Sequence, residues 1–189
     1  MENLTQLFLK YSQWTDKERL HRYGQFYESW VSQLKGVRSI LELGCNEFGG
    51  GDLLSFSDRF PDAKVIGIDI CDGNLVEEVR RNKNIEIVPG DTYCWETVEQ
   101  IRNRYSMTFD LMIDDCLHTP GHQSAAFELW SSLLSPGGLY VIEDVSDINE
   151  LSQHLAIWNE QWDVRIGDVR SQANDDSVLF GLNRKTSPI

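Results

Sequence analysis

Short apolar runs alternate with amphipathic stretches along most of the chain. VRSILEL (37–43), AKVIGIDI (63–70), NIEIVPGD (84–91), TFDLMIDD (108–115) and GLYVIED (138–144) have the length and near-continuous apolar character of strands buried on both faces. Between them LLSFSDRF, NLVEEVRRN and WETVEQIRNRY read as helices. A further helix starts at Thr119-Pro120, an N-cap followed by proline at the first helical position, and runs to about Leu134. SPGG then reads as a turn into the fifth strand. A helix through INELSQHLAIW and two last strands, QWDVRIGDV and DSVLFGLNR, close the pattern. Alternation of this kind predicts an α/β fold, a mostly parallel sheet with helices on both faces. The final pair, with no helix between, predicts an antiparallel hairpin at one edge. Residues 3–35 read as one or two helices preceding the sheet.

With 189 residues the chain is most simply one domain, 1–189, with residues 1–35 as an N-terminal helical lid or cap and 36–189 as the core. No apolar run approaches the length of a membrane span, and MENLTQLFLKYSQW lacks the features of a secretory signal. Cys45, Cys71, Cys94 and Cys116 form no CxxC pair, which suits free thiols in a reducing cytoplasm rather than a zinc site. Seventeen basic against thirty acidic residues give a net charge of −13, which disfavours generic nucleic-acid binding. The six tryptophans, at 14, 30, 95, 130, 158 and 162, suit core packing. Composition leaves a homo-oligomer open.

Two strands end in acidic clusters: Asp114-Asp115, with His118 close behind, and Glu143-Asp144. In an open α/β sheet ligands bind beyond the carboxyl ends of the strands. If the two strands are neighbours, up to four carboxylates and an imidazole meet there, the donors for a hard cation and a proton-abstracting base. The bland alternative is turn capping and a solvated strand end. At the first strand-to-helix turn, LELGCNEFGGG (41–51) lacks the second glycine of G-x-G-x-x-G and places Glu47 in the turn. That disfavours a pyrophosphate and suits a sulfonium with an amino-acid ammonium. The E-x-G opening, Glu42 and Gly44, resembles the first motif of S-adenosylmethionine (SAM) methyltransferases, and the strand pattern resembles their Rossmann-like, seven-stranded class I core. Asp69, ending VIGID, is placed to accept both ribose hydroxyls of an adenosine.

Taken together, DKERLHRYGQFYE (16–28), LELGCNEFGGGDLL (41–54), FPDAKVIGIDI (60–70), IDDCLHTPGHQSAAFELW (113–130) and LSPGGLYVIEDV (134–145) resemble the macrocin and mycinamicin type of sugar O-methyltransferase, related to cephalosporin-hydroxylase-like proteins. The similarity spans residues 11 to about 145. It implies SAM and a divalent cation, usually magnesium, acting on a hydroxyl of a small molecule such as a sugar. It assigns Asp115, Glu143 and Asp144 to the metal and His118 as general base. To the cofactor side go Glu42, Gly44, Asn46, Gly49, Asp69, Asp91 and Asp114, with Asp91 near the adenine or, alternatively, a plain cap. Lys17, His21 and Tyr23 are substrate-side candidates, Lys17 and His21 sharing a helix face in the lid. His122 is structural or substrate-orienting. The chain departs from the family's D-D-G-S-H by carrying Cys116-Leu117, which adds bulk beside the expected metal. Two other readings remain. An NAD-linked oxidoreductase requires the missing G-x-G-x-x-G. A degenerate SAM-fold binding or assembly protein predicts loss of His118 or the carboxylates, and all are present.

Overall fold

The computed structural model describes residues 2–156 and 161–185. The sheet contains β1 (Ser39–Leu43), β2 (Lys64–Asp69), β3 (Ile85–Pro89), β4 (Phe109–Asp114), β5 (Leu134–Ile142), β6 (Trp162–Asp168) and β7 (Val178–Arg184), in the order β3-β2-β1-β4-β5-β7-β6. The first five run parallel, and β7 lies antiparallel between β5 and β6. The helices are α1 (Leu4–Lys10), α2 (Gly24–Val31), α3 (Gly51–Arg59), α4 (Glu77–Arg81), α5 (Trp95–Tyr105), α6 (Pro120–Trp130) and α7 (Ile148–Leu155). This is the α/β alternation and closing hairpin that the pattern of apolar runs predicts. Among the described residues no helix is long and apolar enough to cross a membrane.

Three local expectations are corrected. SPGG is not a free turn but a loop-out within β5. Leu134 still pairs with Phe109 and Leu139 resumes the ladder against Leu111, so Ser135–Gly138 bulge from the strand. Pro136 has no N–H to offer the ladder, and Gly137 takes φ +79°. The helix after β2 is only one turn, because Asn74 to Val76 first run along the glycine-rich turn, where Val76 N–H donates to Gly49 O (3.2 Å). Residues 16–22 form turns rather than a helix, so Lys17 and His21 share no helix face. Ile157 and Trp158, the end of the expected INELSQHLAIW helix, lie outside the described residues.

Strand alternation sends successive side chains to opposite faces. Ile40, Val65, Leu111, Ile113, Val141 and Leu179 face one layer, built from α1, α2 and α3 through Phe8, Tyr27, Trp30 and Phe56. Leu41, Leu43, Ile66, Met112, Ile142 and Phe180 face the other, built from α5, α6 and α7 through Ile101, Phe127, Trp130 and Leu151. By the same parity Glu42 and Glu143 point into the first layer, under residues 15–31. That places them before any functional argument is made.

The N-terminal segment is fastened at both ends. Asn3 and Gln6 form a capping box on α1. Glu28 on α2 accepts from Leu4 N–H (3.0 Å) and pairs with Arg59 on α3 (2.7 Å). Arg59 above all, then Leu4, holds the Glu28 carboxyl below the usual glutamate range against the effect of its burial. A depressed acid stabilises the fold above its unfolded pKa, and that contribution disappears as pH falls through the folded value. Glu28→Gln is expected to cost about 1 kcal/mol in urea unfolding near neutrality. The difference from wild type is expected to vanish in acid; equal stability near neutrality would contradict the assignment.

Candidate active site

The carboxyl ends of β2, β1, β4 and β5 are level with one another. Leu43 is paired with Ile68 and with Asp114, and Asp114 with Ile142. Beyond this edge, where the strand order reverses between β1 and β4, opens a cavity of about 660 Å³. The chain leaves β1 through Gly44, whose φ of +76° belongs to the left-handed region. A Cβ there would overlap the carbonyl oxygen of Asp115 and sit 2.9 Å from its carbonyl carbon. Gly44 therefore lets two strand exits, one carrying each half of the site, pass against each other.

On the first half of the cavity, Asp69 Oδ2 accepts from the N–H groups of Cys45 and Asn46 (both 3.1 Å) and Oδ1 from Cys71 N–H (3.2 Å). The carboxylate is thereby fixed at the mouth of the glycine-rich turn with lone pairs still available. Gly44, Asp69 and Asp91 all line the cavity, with Phe48, Ile70 and Tyr93 as apolar wall. The remaining expected cofactor residues do not. Asn46 bridges Cys71 Sγ (2.9 Å) and Asn74 N–H (3.0 Å), so it ties two loops together. Gly49 packs against Val76 and Trp14. Glu42 is fully buried in the first layer. Asp114 is buried too, and burial pushes its carboxyl up to about 7.

On the second half, Asp115, His118 and Asp144 line the cavity and offer ligand atoms within 4.8 Å of one another. His118 Nε2 is 3.3 Å from Asp115 Oδ1 and Nδ1 is 3.6 Å from Asp144 Oδ2. Nε2 is buried and meets no partner in hydrogen-bond geometry. Burial opposes charging of this ring, but Asp115, then Asp144 and Glu143, outweigh it and raise the pKa to about 9. Asp144 reaches the cavity because its backbone turns back at φ +52°. A non-glycine residue there carries strain of about 1 kcal/mol. The tyrosine hydroxyl of Tyr23 donates to its Oδ1.

Behind the cavity wall lies a buried ammonium. Lys17 Nζ is 2.8 Å from Asp115 Oδ2, 2.6 Å from Glu143 Oε2, 3.4 Å from Glu42 Oε1 and 3.8 Å from Asp52 Oδ2. Glu143 Oε1 accepts from Tyr27, so both oxygens of Glu143 are engaged away from the cavity. Burial lowers the pKa of Lys17, and the charges of Asp115, Glu143 and Glu42 more than reverse that, leaving it firmly protonated. Burial likewise works against ionisation of Asp115, yet Lys17 and His118 hold it below the usual carboxylate range.

Lys17 is thus no substrate-facing residue; it lies under the carboxylates with no exposed surface. Tyr23 stands behind Asp144. Of the expected substrate-side residues, His21 alone lines the cavity, held by Asp16 Oδ2 (3.2 Å), Ser177 Oγ (3.0 Å) and Asp144 Oδ1 (3.3 Å). His122 is exposed, with Nδ1 2.7 Å from Thr119 Oγ1 and its ring edge-on to Tyr93. Cys116 Sγ lies 3.2 Å from Thr92 Oγ1, while Leu117 stands half exposed on the cavity wall. Sequence reasoning missed Asp52, Asn174 and Asp176. The last two arrive on the β6–β7 turn, which an antiparallel β7 brings back to the same sheet edge.

Known proteins resemble this chain in sequence and in fold. Residues 27–173 match the family described as rhamnosyl O-methyltransferase/CmcI. The chain is 37% identical over 132 residues to mycinamicin VI 2''-O-methyltransferase of Micromonospora griseorubida, covering 67% of this chain and 32% of that protein. It is 35% identical to demethylmacrocin O-methyltransferase of Streptomyces fradiae, with the same coverage. The chain therefore spans about a third of the length of the curated relatives it matches. Among solved structures, the MycE methyltransferase in complex with Mg, SAH and mycinamycin VI superposes with a TM-score of 0.75 at 24% identity, covering 100% of this chain and 57% of that one. An O-methyltransferase from Bacillus cereus in complex with SAH gives 0.68 at 18% identity, covering 96% of this chain and 90% of that one. These likenesses show the fold, the Rossmann-like class I methyltransferase sheet. With more than half its length matched, the chain belongs to the rhamnosyl O-methyltransferase/CmcI family.

Proposed function

We propose that the chain transfers a methyl group from SAM to a hydroxyl of a sugar-bearing small molecule, assisted by a divalent cation. One observation carries the reading. A carboxylate poised for ribose, Asp69, and the Asp115–His118–Asp144 group open into the same cavity. Support comes from the family, rhamnosyl O-methyltransferase/CmcI, and from relatives named as O-methyltransferases.

The residues fit a hard divalent cation such as magnesium. Their donors are carboxylate oxygens, and four carboxyl groups stand within 4.0 Å of a single ammonium, that of Lys17. Burial and mutual repulsion raise the pKa values of Glu42, Asp52 and Glu143, a crowding that a cation's charge would relieve. Asp115 and Asp144 would hold the cation from the cavity wall, and Glu143 reaches it only by exchanging Lys17 or Tyr27. When bound, the cation would polarise a coordinated hydroxyl and offset the carboxylate charge that now raises His118. SAM supplies an electrophilic methyl on its sulfonium.

The chain's own residues do the remainder. Asp69 accepts the ribose hydroxyls, and Gly44 leaves room for the nucleoside against the backbone. Asp91 stands on the adenine side. His118, on the cavity wall, would take the acceptor's hydroxyl proton as the methyl group leaves the sulfonium sulfur for the acceptor oxygen. Phe48 and Leu117, both exposed on the cavity wall, are covered by the ligands and exclude water. Residues 2–35 act as a fixed cap of a single domain rather than a mobile lid, since Lys17, Tyr23 and Tyr27 are buried against the site.

The test is methyl transfer from labelled SAM to a panel of neutral glycosides carrying vicinal hydroxyls, with product followed by mass spectrometry. A methyl ether is expected, lost after chelation and restored by magnesium. Turnover unaffected by chelator would remove the cation from the mechanism. SAM binding with no methylated glycoside across the panel would remove the acceptor class.

A further inference from the structure

Lys17 takes no part in the transfer as described, yet the fold invests heavily in it. A buried ammonium loses several kcal/mol of hydration unless it is well paired, and a lysine stem ordinarily lets the charge reach water. Here residues 16–22 turn inward and deliver it to a place with no exposed surface. It donates to two acceptors, Asp115 Oδ2 at 2.8 Å and Glu143 Oε2 at 2.6 Å, and has Glu42 Oε1 3.4 Å away as a further neighbour. Tyr27 holds the other oxygen of Glu143, and Tyr23 holds Asp144 Oδ1. One oxygen of Asp115, one of Asp144 and both of Glu143 are thus tied from the N-terminal segment. What remains toward His118 is Asp115 Oδ1, at 3.3 Å, and Asp144 Oδ2, at 3.6 Å. A simple structural ion pair would need one carboxylate. This arrangement sets the orientation of the carboxylate that faces the reacting atoms.

We propose that Lys17 is a positioning residue of the transfer site: from behind the cavity wall it anchors Asp115 and Glu143, so that the free oxygen of Asp115 is presented to His118 and to a bound cation. The inference rests on the proposed function and deepens it. Lys17 touches neither cofactor nor acceptor, since it does not line the cavity. Its removal therefore acts on kcat and leaves SAM affinity in place.

The experiment is a double-mutant cycle on the full chain with Lys17→Met, Asp115→Asn and the pair, read in kcat, in SAM affinity by calorimetry and in Mn²⁺ affinity by paramagnetic resonance. Lys17→Met is expected to lower kcat by about thirtyfold or more with SAM affinity within about threefold of wild type. Asp115→Asn is expected to cost about a hundredfold in the wild-type background and less than about threefold in the Lys17→Met background, because Asp115 is already out of place. A chain that transfers no methyl group fails the proposed function, and the cycle is then read in Mn²⁺ affinity with the same non-additivity expected. Additive losses, an unchanged kcat, or SAM affinity that falls in step with kcat would overturn the positioning role. If Lys17→Met does not fold, Lys17→Met/Glu42→Gln also removes one of the carboxyl groups crowded around the missing ammonium while leaving Asp115 and Glu143 intact, and the cycle is run on it.

Discussion

Replacing His118 with glutamine is expected to lower turnover at saturating SAM by about 10²–10⁴-fold, the range for loss of a positioned general base, while SAM affinity stays near wild type. The two effects separate because His118 sits on the Asp115–Asp144 side of the cavity, with Asp69 and Gly44 on the other. Glutamine keeps a hydrogen-bonding side chain of similar reach but cannot accept and carry a proton. The remaining activity should no longer depend on the protonation of this residue. Asp115, Asp144 and Glu143 raise the His118 pKa to about 9, and a bound cation would offset part of that charge, so the wild-type rate in magnesium should climb with pH below that value and the climb should be absent in the variant. Turnover within about threefold of wild type would remove His118 from the chemistry. An equal loss in SAM affinity and turnover would make its role one of binding.

Gly44→Ala is expected to abolish SAM binding and to destabilise the fold together. Alanine at φ +76° costs about 1–2 kcal/mol from its conformation alone. Its methyl group would also collide with the backbone of Asp115, a part of the chain that cannot swing aside as a side-chain tip can. Relief requires the exits of β1 and β4 to part, and these carry the turn that holds Asp69 and the loop that holds His118. Calorimetry with SAH and urea unfolding check the two effects. A variant that binds SAH normally would show that the close passage of these backbones is not what shapes the cavity.

The strands, their parallel alternation and the closing hairpin were legible because buried strands are marked by continuous apolar runs, and a missing helix between two of them leaves only a hairpin. The pairing of Asp115 with His118 was legible for a similar reason, both lying in the exit of one strand. Less legible was the face on which each acid falls. Glu42 and Glu143 occupy alternate positions with Ile40 and Val141, so their parity was in the sequence. Which layer covers that face was not, because residues 16–22 carry no periodic signal and fold as turns. Lys17 was therefore read as part of a lid when it is the counter-charge beneath the floor. Asp176 escaped notice because ANDDS reads as an ordinary turn. Its place at the cavity follows from the antiparallel direction of β7, which starts beside the end of β5. Asp144 reaches the cavity through a left-handed backbone angle that no aspartate announces by its spacing.

On the proposed function, one cavity holds SAM against Asp69 and a divalent cation against Asp115 and Asp144. Calorimetric titration of SAM into metal-stripped protein, followed by magnesium, and repeated on Asp115→Asn, tests it most directly. SAM binding is expected in both proteins, with a separate magnesium heat in wild type alone. Absence of SAM binding, or a magnesium heat that survives loss of the Asp115 charge, would contradict it.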